Sequence, residues 1–506
     1  MGYLLISRKK SLTIFLLIIG SILLYFNIDK LNQNNERFNS IFSDKREIEL
    51  DEYIIKKIIK NNDTKNKIKD VLIDNVLNDI NDPKRAELIN ELRKNTEIHS
   101  ILWNSVFGKY SDKDYKNNTE IYKDVLIKYS SFLTEENEDL FILSNETKLL
   151  HVLHQSLYSW LYNFKYTSFK DLIESFNGKG LVISVGNDYF NYARSTIENL
   201  RNIIKSEIPI EIFYNGESDL SEDKRNILKE YDNVYVSDLS QYFNDEILHL
   251  SHFALKPFSL LASRFEEVIL IDADSVYLRD PMLFFDDPGY IEKGTIFFQD
   301  RNFKESSFDS YKWFKTWINN PLPDTEELRI WNEKTTDQME SSTLVINKAK
   351  NILGLLAACN LNGNKYKKIV YKHVYGDKET FWIGFEMARQ PFYFNPLRPA
   401  FISKVKSVGT NSTKFCGHVG HKSEDGKFMF WNGHLINKYS NYGKYKLVDF
   451  DIIVDDTDDI KWVDLSCGEV TNEIFKYISK PFDEYENKTF ESILDNERKK
   501  QYVIRN

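Results

Sequence analysis

The stretch "KGLVISVGNDYFNYARSTIENLRNIIKSEIPIEIFYNG", residues 179–216, leaves the chain few folds to choose from. Leu181 to Val185 is a short aliphatic run that reads as a buried strand. Apolar residues then recur at helical spacing from about Tyr189 to Lys205, and Pro209 to Tyr214 reads as a second strand. Strand, helix and strand in that order call for a parallel pair joined by a crossover. The next helix, "HFALKPFSLLASRFEE", feeds the run "VILI", and "GTIFFQD" and "STLVINK" supply further strands. The fold class is therefore α/β, with a mostly parallel central sheet of a nucleotide-binding type.

The strand "VILI", Val268 to Ile271, is followed by Asp272 and Asp274, one residue apart. Residues i and i+2 of an extended segment share a face, so the two carboxylates should converge at the sheet's carboxyl edge, where ligands of open α/β sheets sit. An Asp-x-Asp by itself says little, since "DKD" at 112–114 and "DFD" at 449–451 also occur. The first lies in a polar loop, and the last precedes "IIVDDTDD", near a strand's start. Only "DAD" ends a buried strand in a strand–helix–strand context. The chemistry that fits is transfer from a nucleoside-diphosphate donor, because the leaving diphosphate needs its charge neutralised. A divalent cation does this as a Lewis acid, and carboxylate oxygens select Mn²⁺ or Mg²⁺.

Composition narrows the class. Lys plus Arg number 67 and Asp plus Glu 76, a net charge of −9, which argues against a nucleic-acid binder. Three cysteines, Cys359, Cys416 and Cys467, rule out a disulfide scaffold and a four-cysteine zinc site, and allow one disulfide of unspecified pairing. Arg8, Lys9 and Lys10 precede an uncharged run, Ser11 to Ile28, long enough for a thin bilayer and without a small-x-small cleavage site. The expected layout is a cytoplasmic tail (1–10), a transmembrane signal anchor (11–28), a stem (29–70), a helical region (71–176), a catalytic domain (177–445) and a C-terminal extension (446–506). Asn-x-Ser/Thr sequons at Asn62, Asn117, Asn145, Asn411 and Asn487 agree with a lumenal location.

The blocks "HFALKPFSLLASRFEEVILIDADSVYLRDP", "FFQDRNFK", "QMESSTLVINKAK" and "YGDKETFWIGFEMA" resemble the fungal Golgi α-1,3-mannosyltransferase family over about residues 179–445. The resemblance implies a GT-A-type fold, a GDP-mannose donor, Mn²⁺ and transfer of mannose with retention. The acceptor it implies is a mannose-terminated N- or O-glycan, and the location a Golgi membrane with the catalytic domain lumenal. Carried over residue by residue, Asp272 and Asp274 bind the metal, Asp272 and Lys256 meet the donor, and Glu340, Ser341 and Ser342 contact mannose hydroxyls. "GDKET" holds Asp377 and Glu379, one of which would stabilise the cationic sugar, with Glu379 preferred. "FCGHVGHKSEDGKFMFWNGH" offers His418, His421 and His434 as a third metal ligand, with His421 preferred, and reads as two β-hairpins.

After the first strand, Gly186 would admit the nucleotide to the backbone, and Asn187 and Asp188 could bond base or ribose. An Asp N-cap explains the same letters. "FYNGESDL", after the second strand, could supply another base contact. Competing functions are an α-1,2-mannosyltransferase, a catalytically silent glycan-binding subunit and a metal-dependent nucleotide hydrolase. The intact "DAD" and "GDKET" blocks argue against the silent subunit.

Overall fold

Four consecutive aliphatic residues that cannot meet water must be covered on both faces, and Val268 to Ile271 are, at no more than 1% exposure each. They form the fourth strand of the sheet on which everything else is hung. In the computed structural model, the described residues are 59, 61–73, 83–108, 119–134, 143–303, 309–437 and 446–503. Residues 58–506 form one compact unit. The expected anchor at 11–28 lies outside the described residues, and no helix among them is long and apolar enough to cross a membrane.

Ten strands matter here, in chain order: β1 (Lys179–Ser184), β2 (Ile210–Tyr214), β3 (Val234–Asp238), β4 (Glu267–Ile271), β5 (Ser275–Tyr277), β6 (Thr295–Gln299), β7 (Met339–Asn347), β8 (Ala400–Val408), β9 (Ser412–Lys422) and β10 (Phe428–Asn432). The first sheet has the order β3-β2-β1-β4-β7-β6. β1 runs parallel to β2 and to β4, and β2 parallel to β3, while β7 is antiparallel to both β4 and β6. The sheet is thus mostly parallel, as the crossover pattern requires. Its strand order reverses between β1 and β4, which makes their carboxyl ends the place for a ligand.

The crossover from β1 to β2 is a helix, Phe190–Glu198, that loosens into a π-helical segment, Asn199–Ile204. Lys205 closes it in the left-handed conformation, with φ 62°. The helices Leu255–Ala262, Ile352–Asn362 and Thr380–Met387 pack in sequence against one another, the first also against β1 and β4. Residues 145–157 and 83–107 form buried helices of the amino-terminal region. Its aromatic residues are core: Trp103 packs 4.5 Å from Phe107 and 5.1 Å from Phe169, and Tyr158 is fully buried.

A second sheet is built on β8 and β9, with strands Ile452–Asp455, Ser479–Pro481, Cys467–Thr471 and Lys461–Trp462 completing it. The carboxyl-terminal residues are therefore woven in rather than appended. Cys416 and Cys467 face each other across this sheet and form the disulfide, which leaves Cys359 free and buried. The last helix, Glu484–Val503, lies on the crossover, where Lys500 pairs with Glu198 at 2.7 Å.

"EDGK" is the expected hairpin turn between β9 and β10, with Gly426 at φ 82°. "WNGH" is not a second hairpin. β10 pairs with β9 on one side and with β5 on the other, aligning Asn432 with Ser275. The two sheets are joined there, immediately after the "DAD" carboxylates. Sequons Asn62, Asn411 and Asn487 are exposed and Asn145 is half-buried, while Asn117 lies outside the described residues.

Candidate active site

β4 ends at Ile271, so Asp272 and Asp274 occupy the turn into β5 rather than an extended strand. The turn is held from three sides. The Asp272 amide donates to Ser342 O on β7 at 2.7 Å. From beneath, the Thr196 hydroxyl bonds Ala273 O at 2.8 Å, and the Asn199 side chain pairs with both the N–H and the C=O of Tyr277 at 3.0 Å. From above, the Gly433 amide donates to Asp274 O at 3.1 Å. A Cβ at Gly433 would come within 2.5 Å of the His418 ring, so only glycine lets the chain pass this close.

Lys256 rises from the helix Leu255–Ala262 into a nest of acids. Its Nζ lies 2.6 Å from Asp272 and 3.8 Å from Asp377, and donates to Ser341 O at 3.3 Å and Ser341 Oγ at 3.4 Å. Burial alone would favour a neutral lysine, but Asp272 and Asp377 outweigh it and hold the pKa above the ordinary value. Lys256 is therefore a fixed buried cation and not a snorkelling surface residue. Burial pushes Asp272 up and pushes Asp274 up to about 6, where the neighbouring Asp272 charge adds to it. Asp377 is also pushed up to about 6 by burial, against the pull of Lys256.

Glu340 lies in the same cluster. It accepts from the Ser342 amide at 3.0 Å and from Asn432 Nδ2 at 2.9 Å, with His421 Nε2 at 3.4 Å. His421 is packed against Phe298 and Phe430, with ring centroids 4.8 and 5.2 Å away. It faces Glu340, and among the described residues no group of three or more His, Cys, Asp or Glu side chains is arranged to hold a metal ion. The expected set Asp272, Asp274 and His421 is not brought together into such a group among the described residues, although the buried His421 Nε2 has no hydrogen-bond partner among them. The pair Asp272 and Asp274 does fit a divalent cation: their burial and mutual repulsion leave negative charge that such an ion would relieve.

Asp377 and Glu379, two residues apart, point to different partners. Asp377 is 2% exposed and reaches toward Lys256. Glu379 accepts from the amides of Gln338 at 2.8 Å and Met339 at 3.1 Å, and from Trp382 Nε1. Burial pushes it up to about 7, helped by Asp337. Its oxygens latch the helix Thr380–Met387 to the start of β7. Between the two, Lys378 pairs with buried Asp300 at 2.8 Å.

At the β1 end, the Asn187 side chain is spent on structure. It accepts from the Ser221 amide at 3.2 Å and from Lys224 Nζ at 3.1 Å, and donates to Ser218 O at 3.2 Å. This ties the β1 loop to "FYNGESDL". Asp188 is exposed, and the helix cap falls on Tyr189 without a side-chain bond, so the Asp N-cap is absent. Sequence reasoning missed Thr196, Asn199, Asn432 and Gly433. The last two carried a signal, the pair Asn-Gly, that a hairpin explained equally well.

Asp456 gives the site's surroundings a pH dependence. Its carboxylate lies 3.9 Å from Arg329 Nη1, and neither oxygen has a hydrogen-bond partner among the described residues. Burial pushes it up to about 7 from 3.8, which the Arg329 charge only partly offsets. Between those values the folded chain keeps a proton that the unfolded chain has released, so this contribution to stability is present below about 4 and lost as pH rises through about 7. Glu379 acts in the same sense. Melting curves from pH 5.5 to 8.5 should show stability falling with pH, and Asp456→Asn should flatten the slope. An unchanged slope in that variant would remove Asp456 from the account.

Residues 178–423 match the family profile described as "Mannosyltransferase putative". The chain is 25% identical over 384 residues to "Putative alpha-1,3-mannosyltransferase MNN14" of Candida albicans, covering 63% of this chain and 55% of that one. It is 28% identical over 254 residues to "Alpha-1,3-mannosyltransferase MNT3" of Saccharomyces cerevisiae, covering 43% of this chain and 38% of that one. The chain thus spans about half the length, or less, of these curated relatives. Among solved structures, core-mannan synthase A of Aspergillus fumigatus in its Mn/GDP form matches with a TM-score of 0.27 and 11% identity, covering 43% of this chain and 72% of that one. Mouse xyloside xylosyltransferase 1 matches with a TM-score of 0.29 and 13% identity, over 43% and 85% of the two chains.

Proposed function

From the match of residues 178–423 to the mannosyltransferase family profile, we propose that this chain transfers mannose from GDP-mannose to a terminal mannose of glycoprotein glycans. The linkage formed is α-1,3 and the anomeric configuration is retained, on a GT-A-type domain. The names of its relatives support the sugar and the linkage. The observation that carries the reading is the buried Lys256, 2.6 Å from Asp272 and 3.8 Å from Asp377.

A lysine held charged in a dry site is a fixed point charge for a diphosphate. Asp272 and Asp274 are the residues that would hold Mn²⁺ or Mg²⁺, whose contribution when bound is to neutralise the diphosphate. As the bond from C1 to the phosphate oxygen breaks, positive charge grows on the sugar, and the Asp377 carboxylate is the group offered to it. The acceptor hydroxyl forms its bond to C1 on the face that GDP leaves, and its proton passes to the departing phosphate oxygen. Glu340, with Ser341 and Ser342, positions the mannose hydroxyls, and Asn432 and His421 orient Glu340. Glu379 acts as a latch and not as the reacting carboxylate.

The same reading locates the protein in the Golgi membrane through the uncharged run 11–28, with exposed sequons Asn62, Asn411 and Asn487 on the lumenal side. Release of the protein from membranes by alkaline carbonate would overturn that location. For the activity, the protein is incubated with GDP-mannose, Mn²⁺ and an α-linked mannose disaccharide, and the product linkage is read by NMR. A trisaccharide with a new α-1,3 bond is expected. GDP release without a glycan product would make the protein a hydrolase, and an α-1,2 bond would correct the linkage.

A further inference from the structure

Two large exposed aromatic rings lie on segments that lead into the acidic cluster. Phe253 is 44% and Tyr375 is 53% exposed, and their centroids are 6.0 Å apart at an interplanar angle of 51°. They come from different segments, yet each is tied to the reacting groups. Phe253 lies three residues before Lys256, and Tyr375 two residues before Asp377. We propose that Phe253 and Tyr375 form the platform on which the acceptor's terminal hexopyranose stacks.

The rings are held where they are. Gly376 has φ 64°, and a Cβ there would meet the Phe253 ring at 3.1 Å, so the two segments meet this closely through a glycine. Lys378 Nζ, paired with Asp300, sits over the Tyr375 ring at 5.2 Å from its centroid and helps to hold it in place. His249 and His252, which lead into Phe253, both adopt left-handed backbone, at φ 45° and 51°. Strain of this kind in non-glycine residues persists where surrounding structure enforces it, and it gathers at ligand sites.

The occupant follows from chemistry and position. A pyranose ring presents an apolar C–H face to an aromatic surface and keeps its hydroxyls at the edge for polar partners. The alternative occupant, the guanine of the donor, lies at the far end of the diphosphate from C1. The platform instead meets at Gly376, next in the chain to Asp377, the carboxylate assigned to C1, and the donor mannose already has Glu340, Ser341 and Ser342. The identity of the sugar rests on the mannosyltransferase reading, while the stacking role rests on the rings.

Tyr375→Ala and Phe253→Ala should each raise the acceptor KM about tenfold or more, with a much smaller change in kcat. GDP affinity in the presence of Mn²⁺, measured by calorimetric titration, should hold within about twofold, and Tyr375→Phe should keep most of the acceptor affinity because it keeps the ring. Both rings are exposed, so melting temperatures close to wild type are expected and serve as the folding control. An unchanged acceptor KM in both alanine variants overturns the platform. A parallel loss of GDP affinity overturns it too, and assigns the rings to guanine. If wild-type protein transfers no mannose, the enzyme reading fails first. Binding of the mannose disaccharide in the presence of GDP, compared between wild type and the alanine variants, then decides the platform by itself.

Discussion

Asp274→Ala should lower transfer by about 10²–10³-fold or more, the loss expected when a main charge-stabilising group is removed from a transition state. The variant should fold, and the reason lies in the turn's construction. The Gly433 bond is made to the Asp274 backbone oxygen and survives the substitution. The lost carboxylate is one whose charge burial and Asp272 already disfavour, pushing it up to about 6. Removing it relieves repulsion, so the melting temperature should hold or rise while activity disappears. Chelation of the wild-type protein with EDTA should reproduce the loss, and added Mn²⁺ should restore it. Full activity in EDTA, or in Asp274→Ala protein, would put the charge stabilisation elsewhere.

The second large effect separates two carboxylates that the sequence places two residues apart. Asp377→Asn should lower kcat about 100-fold or more with little change in the KM for GDP-mannose, because the interaction it removes belongs mainly to the transition state. Glu379→Gln should act on stability instead. Two amides donate to one oxygen of Glu379 and Trp382 Nε1 donates to the other. A glutamine can accept at the first position but turns an NH₂ donor toward the Trp382 N–H. The cost of leaving such buried donors facing each other is about 1–3 kcal/mol, read as a lower melting temperature. Loss of kcat in Glu379→Gln at wild-type stability, with Asp377→Asn active, would exchange the two roles.

The sheet and its edge were legible in the letters because each rests on a local pattern. β-branched runs name β1, β2, β4 and β7, and the strand–helix–strand order forces the parallel pairing and the switch point. Lys256 was legible as a helix residue upstream of β4, but not as a cation caged by Asp272 and Asp377, because that cage joins three distant segments. That Asp377 and Glu379 take different partners was not legible, for a specific reason. Spacing of i and i+2 aligns side chains only in extended backbone, and here Gly376 turns the chain at φ 64° before a helix begins at Thr380. Asn432 and Gly433 read as a tight turn because nothing local distinguishes a hairpin from a strand that leaves for another sheet. The pairing of β10 with β5 is fixed by the core they share, where Phe430 stacks on Tyr277 at 5.2 Å, and such long-range packing has no signature in either segment.

That pairing has a consequence for the order of events as the chain is made. Asp272 and Asp274 leave the ribosome early, but the strand that completes their turn, and the Gly433 amide that holds it, follow more than a hundred residues later. Non-local contacts of this kind form after the loop between them has been closed, at an entropic cost that local structure does not bear. The nascent polypeptide therefore carries its acidic pair for much of its synthesis without a finished site. Under the proposed activity, ion capture and donor cleavage would wait for residues 428–433, so a product truncated before them would lack the strand and the amide that complete the turn.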